Sequence, residues 1–372
     1  MPVDLVSLTV GDHAKALSLR KDLVREFGLE VSDALRAETC CLTLLAGAGT
    51  RWNRTLKAAK TGAEAWVSSL DKETMEAARS FALNCPRGLF PVRDYIRKGG
   101  GRIPLAAYAL DALKRVGNSC VVIRGWEDEI RRQILIPLGM DSSSVVFRSQ
   151  SLGPLGKPLG HGDAVYQAMD VWRKYKYLIV NFAGDANSPL TVLLGLRCMD
   201  ALGLKGLKLG LLLPAAPVKN PAYPIILDNE GIPRQLGHDK LKNPAAGPGV
   251  FAAGHPAPAA QPVRPVTGYT NVGLRVYRTE VLIEAMNEIR SLYWTEGYGY
   301  AIPGNDPGER EFALDNVEEL LSQRGLARIF AVARPEELTP AKSFDEINNF
   351  ERAVCMVRAE WDSIAFSMAK AL

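Results

Sequence analysis

Short apolar runs alternate with longer amphipathic segments along most of this chain of 372 residues. Four of the runs cover residues 42–45, 119–123, 177–182 and 209–213, and each is short enough for a buried strand. Helices that connect parallel strands form crossovers, which place helices on both faces of a sheet. The sequence therefore predicts a three-layer α/β/α fold around a mainly parallel, mixed sheet.

Local patterns predict several individual elements. Residues 54–83 are rich in alanine and leucine and predict one helix, and Pro104 is expected to open another helix that Gly117 closes. Spaced apolar residues predict a helix ahead of the first strand, within residues 1–40. Residues 229–231, Asn-Glu-Gly, lie between two short strand-like runs and predict a hairpin at the edge of the sheet.

The same patterns divide the chain into regions. We expect a helical leader over residues 1–40, an α/β domain over 41–358 and the end of a C-terminal helix over 359–372. Residues 237–268 are rich in proline, glycine and alanine, a composition that fits no regular element. This stretch predicts a long loop, a lid over a site or a disordered insert.

Composition excludes several classes of function. The 45 basic residues exceed the 41 acidic ones by only four and form no block, so we expect no nucleic-acid partner. The six cysteines lack the spacing of metal ligands and are typical of reduced, buried thiols. The N-terminus lacks the pattern of a secretory signal, and no apolar segment approaches the ~20 residues that span a bilayer. These features predict a cytoplasmic protein that does not enter membranes.

The first candidate site is the glycine loop "LAGAGTR", residues 45–51, which directly follows an apolar run. Gly47 and Gly49 permit a turn in which several backbone N–H groups point at one anion, and Arg51 adds a forked cation. The loop lacks the third glycine of a dinucleotide fingerprint and the Gly-Lys-Ser/Thr of a Walker loop. The alternative is an ordinary tight turn after a strand.

The second candidate is Asp185, just past the apolar run at 177–182. Open α/β sheets bind ligands at the carboxyl ends of their strands, and Mg²⁺ needs only one or two carboxylates when substrate phosphates supply other ligands. Asp185 is therefore a candidate metal ligand. The alternative is that it caps the helix that begins near Pro189.

The third candidate is "GHGD", residues 160–163, at the start of a predicted helix. Gly160 and Gly162 would let a flat ligand lie against the backbone. The alternative is that His161 is an ordinary loop histidine and that Asp163 interacts with the helix dipole.

The order of these motifs resembles that of the sugar-1-phosphate nucleotidyltransferases. "LAGAGTR" is similar to the signature loop of that family, "PRGLFPV" to its proline-lysine segment and "GRIPLAAYALDAL" to the following helix. "GHGDAV", a "GD" after a strand, an "NVG" strand and a terminal "INN" follow in the family's order. The resemblance covers about residues 41–358 and implies a Rossmann-like nucleotidyltransferase domain of the GT-A-like type.

The resemblance implies a nucleotide site with two parts. The glycine loop would surround the phosphates, with Thr50 and Arg51 facing the β- and γ-phosphates, and the segment 160–163 would receive the base and its ribose. The implied nucleotide-binding residues are Ala46, Gly47, Ala48, Gly49, Thr50, Gly160, His161, Gly162 and Asp163.

The resemblance also implies a metal site and a sugar site. Asp185 corresponds to the family's metal-binding aspartate, Asn348 in "INN" to its second metal position and Asn271 in "NVG" to a sugar-binding residue. Arg87 stands at the family's lysine position and, with Arg51 and Asp185, completes the implied catalytic set. The implied cofactor is Mg²⁺.

Two departures from the family pattern affect the choice of substrate. Arg87 replaces a lysine and follows Arg51 by 36 residues, a spacing that leans toward the branch that makes UDP-sugars. The glutamate-lysine pair that usually follows the hairpin is replaced after Gln235 by "LGHDKLKNP". The sequence thus favours UTP and leaves the sugar open, as it does the oligomeric state.

The resulting hypothesis is a Mg²⁺-dependent enzyme that condenses a nucleoside triphosphate with a sugar-1-phosphate, giving a nucleotide-sugar and pyrophosphate. The alternative is a catalytically silent relative that binds a nucleotide or nucleotide-sugar and regulates a partner. A glycosyltransferase of similar topology would need paired aspartates after the strand, and "GDAN" supplies only one.

Overall fold

An eight-stranded sheet lies at the centre of the computed structural model. The model describes residues 13–46, 49–62, 64–83, 85–97, 99–218, 225–227, 233–236, 269–302 and 310–370. The strands in chain order are β1 Thr39–Leu44, β2 Pro91–Arg93, β3 Arg102–Pro104, β4 Asn118–Ile123, β5 Val146–Ser149, β6 Tyr177–Phe182, β7 Leu211–Pro217, β8 Ile225–Leu227, β9 Pro233–Leu236, β10 Tyr269–Asn271, β11 Arg275–Arg278, β12 Trp294–Thr295, β13 Gly299–Tyr300 and β14 Ala327–Phe330.

The order across the sheet is β10-β7-β11-β6-β1-β4-β5, and β14 pairs with β7. Strand β1 pairs in parallel with β4 and β6, β4 with β5, and β7 with β14. Strand β11 lies antiparallel between β6 and β7, and β10 is antiparallel to the end of β7. The expected mainly parallel, mixed sheet is confirmed.

Helices cover both faces of this sheet, as the three-layer prediction requires. The helices are α1 His13–Phe27, α2 Asp33–Ala37, α3 Thr50–Thr61, α4 Lys72–Ser80, α5 Ala106–Leu113, α6 Glu127–Ile130, α7 Gly160–Gln167, α8 Met169–Trp172, α9 Pro189–Leu204, α10 Thr279–Tyr293, α11 Leu314–Gln323 and α12 Ile347–Ala369. Side chains alternate between the faces along each strand. Cys41 of β1 joins a core with α9, whereas its neighbour Leu42 joins a core with α10 and α11.

Two local predictions were wrong. Residues 54–83 form α3 and α4 with a 3₁₀ turn at Ala65–Ser69 between them, because Gly62 ends α3 at φ 67° and Asp71 caps α4 through Thr74 N–H. Pro104 does not open a helix. It ends strand β3, which pairs with β2, and the helix begins only at Ala106.

Other predictions fall partly beyond the described residues. The two strands of the expected hairpin, β8 and β9, pair with each other, but the turn at 229–231 lies outside the described residues. The proline-rich stretch 237–268 also lies outside them. None of the helices in the described ranges is long and apolar enough to cross a bilayer.

The buried guanidinium of Arg20 joins helix α1 to the start of helix α9. It donates hydrogen bonds to Ser188 Oγ at 3.0 Å, Thr191 Oγ1 at 2.6 Å and Glu360 Oε2 at 2.8 Å, and it lies 3.6 Å from Glu337 Oε1. Glu337 in turn accepts hydrogen bonds from Ser188 N–H and Thr191 Oγ1–H. Helix α1 is therefore tied to the backbone three residues beyond Asp185.

We expect Arg20→Met to destabilise the fold strongly, because it leaves the buried carboxylate of Glu337 without its cation. Removing one partner of a buried ion pair costs about 3–5 kcal/mol. Urea unfolding should show this loss, and the double variant Arg20→Met/Glu337→Gln should recover part of it. Arg25→Met breaks only the exposed pair with Asp22 and is expected to change the unfolding free energy by less than about 1 kcal/mol. Equal losses for Arg20→Met and Arg25→Met would contradict the proposed role of the network.

Candidate functional site

The sheet has a switch point between β1 and β6. From β1 the chain continues to β4 on one side, and from β6 it continues toward β7 on the other. Connections that leave in opposite directions open a crevice at the carboxyl ends of the two strands, where α/β proteins bind ligands. The glycine loop follows β1 and Asp185 follows β6, so both candidate segments flank this crevice.

Asp185 is buried, with 8% of its surface exposed, and its Oδ2 atom makes no hydrogen bond to the described residues. Burial raises the pKa of this carboxyl to about 6, and the nearby cations Lys342, Arg275 and Arg87 act in the opposite direction. The helix α9 is capped by Ser188, whose hydroxyl accepts from Leu190 N–H, and not by Asp185. The capping alternative for Asp185 is therefore wrong.

The connection between β10 and β11 lies directly against the Asp185 carboxylate. Gly273 has φ 81°, and a Cβ atom at this position would overlap Asp185 Oδ2. Asn271 Oδ1 accepts the Gly273 N–H at 2.9 Å, and Asn187 holds the Val272 carbonyl at 2.9 Å. The structure thus places Asn271 and Asp185 on either side of the same glycine.

Arg87 reaches the crevice from a 3₁₀ turn at Arg87–Leu89. Its Cζ lies 3.1 Å from the position that a Cβ of Gly184 would take, next to Asp185. Burial lowers the pKa of Arg87. The negative charges of Asp185 and Glu346 act to raise it, and the positive charge of Arg51 lowers it further. Arg87 is therefore close enough to interact electrostatically with both Asp185 and Arg51.

The glycine loop is described only at its two ends. Ala46 is buried beyond β1, and Gly49 has φ 62° at the N-cap of α3, so Thr50 and Arg51 occupy the first helical turn. The backbone N–H groups at a helix N-terminus, together with the helix dipole, attract anions. Gly47 and Ala48 lie outside the described residues.

Two cations beside Asp185 were not identified from the sequence. Lys342 lies in a segment that the Ala341 N–H fixes to the Gly184 carbonyl at 2.8 Å. Arg275, at the start of β11, is buried and forms ion pairs with Glu318 and with Asp315. Both residues reach the crevice through tertiary contacts, so no local motif marks them.

The structure gives the glycines of the 160–163 segment a packing role. A Cβ at Gly160 or Gly162 would lie 2.6 or 2.8 Å from the Phe312 carbonyl oxygen, and Gly162 N–H donates to that oxygen at 2.8 Å. The sequence predicted a ligand in the space beside these glycines. In the part of the chain that the structure describes, the Phe312 backbone lies there.

Asp163 and His161 are also engaged by the protein. The buried carboxylate of Asp163 accepts hydrogen bonds from the Tyr300 hydroxyl at 3.1 Å and from Gln167, and burial raises its pKa. His161 Nδ1 accepts the Leu314 N–H at 2.9 Å, and its ring lies edge-on to Phe182 at 5.3 Å. Phe182 ends β6, so His161 stands at the same edge of the sheet as Asp185.

Asn348 lies in the first turn of α12. Its Nδ2 donates to the Ser69 carbonyl at 2.9 Å. Its neighbour Glu346 is the acidic residue of this segment that interacts with Arg87. No group of three or more His, Cys, Asp or Glu side chains suited to a metal occurs within the ranges that the structure describes.

Neither a protein-family model nor a curated protein matches this sequence. Solved structures do match it, including a Bacillus anthracis protein assigned as a glucose-1-phosphate thymidylyltransferase and solved with sucrose. The two chains are 13% identical, the match covers 86% of this chain and 95% of that chain, and the TM-score is 0.49. Residue roles in this chain therefore depend on its own geometry.

The residues present fit a divalent cation that arrives with phosphate ligands. Asp185 Oδ2, which has no hydrogen-bond partner among the described residues, is a carboxylate oxygen, the donor that Mg²⁺ prefers. Arg87 and Lys342 supply positive charge around it. A buried carboxylate among cations at a sheet's switch point can hold a metal-bound polyphosphate.

We expect Gly273→Ala to destabilise the fold and to disturb Asp185, because the new methyl group overlaps the carboxylate. Gly297→Ala is a matched control, since Gly297 has φ 78° with no atom near its Cβ position and therefore isolates the backbone strain. Thermal unfolding should show a loss of about 1 kcal/mol for the control and at least twice that for Gly273→Ala. Equal losses of unfolding free energy in the two variants would mean that the Asp185 side chain moves away from the new methyl group without cost.

Proposed function

We propose that this protein is a sugar-1-phosphate nucleotidyltransferase that uses a nucleoside triphosphate, with UTP favoured, and Mg²⁺. The observation that carries the proposal is the buried Asp185 carboxylate, whose Oδ2 has no partner among the described residues and which is bordered by Arg87, Arg275 and Lys342. A charge that is costly to bury and lacks a hydrogen bond points to a ligand at that atom.

The proposed reaction brings two polyanions together. A phosphate oxygen of the sugar-1-phosphate attacks the α-phosphorus of the triphosphate in line, the new P–O bond forms, and the bond to pyrophosphate breaks. The attacking phosphate is already ionised, so no general base is needed. Positioning and charge neutralisation therefore supply most of the acceleration.

Each cation has a separate part in this proposal. Arg51, in the first turn of α3, stabilises the departing pyrophosphate together with the N-terminal N–H groups of the helix. Arg87 neutralises the α-phosphate beside Asp185. Asp185 would hold Mg²⁺, which would supply charge neutralisation for the reacting phosphates. Asn348 is proposed as a second metal position, although its amide nitrogen is bonded to Ser69.

The remaining proposed contacts select the substrates. Residues 160–163 would receive the base and ribose on the outer side of the segment that packs on Phe312. Asn271 would bind the sugar. Its Oδ1 accepts a hydrogen bond from Gly273 N–H, and Gly273 also lies against Asp185. An in-line transfer would place the attacking sugar phosphate opposite the departing pyrophosphate, across the α-phosphorus.

Asp185→Asn is expected to abolish activity and to stabilise the protein. The folded pKa of about 6 exceeds the ordinary value of 3.8, so the stability that this group contributes is present below pH 3.8 and is lost as the pH rises through 6. At pH 7.5 the neutral amide should raise the unfolding free energy by about 1–3 kcal/mol. Turnover should fall by more than ~100-fold.

The metal assignment has a readout that does not depend on turnover. UTP should raise the melting temperature of the wild type more when Mg²⁺ is present, and Asp185→Asn should lose that Mg²⁺-dependent increment. Asp345→Asn, which removes an exposed carboxylate of the same region, should keep it. An unchanged increment in Asp185→Asn would show that the metal binds elsewhere.

Variants of Arg87 test how its charge is used. Arg87→Met should lower kcat by at least ~100-fold, since it removes the cation beside the α-phosphate. Arg87→Lys should keep much of the rate if a positive charge suffices, as the family's lysine suggests. Steady-state kinetics with UTP and glucose-1-phosphate, measured as pyrophosphate release, decides the matter. A collapse of Arg87→Lys to the level of Arg87→Met would instead show a bidentate role.

A silent nucleotide-binding relative is the second candidate. The observation that favours it is that the second proposed metal position, Asn348, carries an amide and not a carboxylate, which leaves Asp185 as the one carboxylate assigned to the metal. Incubation with each of the four nucleoside triphosphates, Mg²⁺ and a panel of sugar-1-phosphates separates the candidates. Pyrophosphate release supports the enzyme, whereas tight nucleotide binding without release supports the silent relative.

A further inference from the structure

A cleft of about 500 Å³ lies beside the β2-β3 hairpin, and none of its lining residues belongs to the candidate site around Asp185. Its volume falls within the range of roughly 300–1,000 Å³ that is typical of small-molecule sites. It is bounded by α4, by the turn that carries Arg87, by the hairpin and by α6. The lining residues are Ala77, Ser80, Phe81, Ala82, Cys85, Leu89, Pro91, Arg102, Pro104, Trp126, Glu129 and Gln133.

Most of this lining is apolar or aromatic, and Trp126 is held in an unusual conformation. Trp126 has φ 67°, a left-handed backbone that bulky residues rarely adopt, and it follows Gly125 at φ 82°. Such a conformation costs of order 1–3 kcal/mol and persists only where the surroundings enforce it. The enforced turn keeps the indole ring at the wall of the cleft.

The polar side chains of the cleft differ in whether they already have partners within the protein. Arg102 donates hydrogen bonds to the Pro91 carbonyl and to Thr74 Oγ1. It also forms ion pairs with the carboxylates of Asp71 and Glu351. The side chains of Glu129 and Gln133 make no hydrogen bond or ion pair with any group that the structure describes.

Glu129 gives the cleft a negative charge next to an apolar wall. Its carboxylate is close enough to Cys85 to act with burial in raising the pKa of that thiol to about 11. A ligand that combines a flat ring with a positively charged amine would satisfy both features, through contact with Trp126 and an ion pair with Glu129.

We propose that this cleft binds a small aromatic amine, with its ring against Trp126 and its ammonium group on Glu129. The proposal stands apart from the chemistry at Asp185, so either one can fail without the other. The cleft also borders Leu89, which lies in the same 3₁₀ turn as Arg87. This turn is tightly packed, since a Cβ added at Gly88 would lie 2.9 Å from the Leu45 side chain.

Calorimetric titration of the full chain with tryptamine and with indole-3-acetate tests the charge preference. The two probes share an indole ring and differ in the sign of their charge. Tryptamine should bind at least about tenfold more tightly, which corresponds to one ion pair of about 1.4 kcal/mol. Glu129→Gln should remove this difference, whereas Asp128→Asn, which removes an exposed carboxylate of the same helix, should keep it.

Chemical labelling tests the location of the probe. Tryptamine should slow alkylation of Cys85 by iodoacetamide and leave the half-buried Cys355 of α12 unaffected. Ala82→Trp, at an exposed position on the rim of the cleft, should weaken tryptamine binding at least about fivefold while circular dichroism stays unchanged. Equal affinity for both probes, a preference that survives Glu129→Gln, or unprotected Cys85 at saturation would each overturn the proposal.

Discussion

The candidate site depends on how the central strand β1 is paired. Strand β1 hydrogen-bonds in parallel to β4 on one side and to β6 on the other. The chain leaves the carboxyl ends of β1 and β6 in opposite directions, which opens a crevice between them. Arg51 and Asp185 lie at the same edge of the sheet because both follow strands that run the same way.

A carboxylate at such an edge is costly unless the fold fixes its surroundings. Asp185 is desolvated, and the nearby cations Lys342, Arg275 and Arg87 offset only part of the cost of burying its charge. The loop that carries it is held at Gly184 by the Ala341 N–H and at Ser188 by Glu337. These backbone contacts on both sides hold the Asp185 carboxylate in its buried position.

The sequence predicted what depends on short-range pattern. The alternation of apolar runs and helices is enough for the three-layer fold, since each element must bury one face. It could not predict the break within residues 54–83, where Gly62 and Asp71 override a continuous helical composition. It also did not reveal that Phe312 packs against Gly160 and Gly162. Lys342 and Arg275 share no motif with Asp185, so only tertiary structure shows their proximity.

The charges around Asp185 bear on how the proposed metal would bind. Arg275 pairs with Glu318 and Asp315, whereas Arg87 and Lys342 act on the Asp185 carboxylate, and Arg51 acts on Arg87. A surplus of positive charge repels a free divalent cation and attracts a polyphosphate. Mg²⁺ commonly binds through one or two carboxylates together with substrate phosphates. Under the proposed function, Mg²⁺ would therefore enter as a complex with the nucleotide, and a single buried carboxylate such as Asp185 would suffice to hold it.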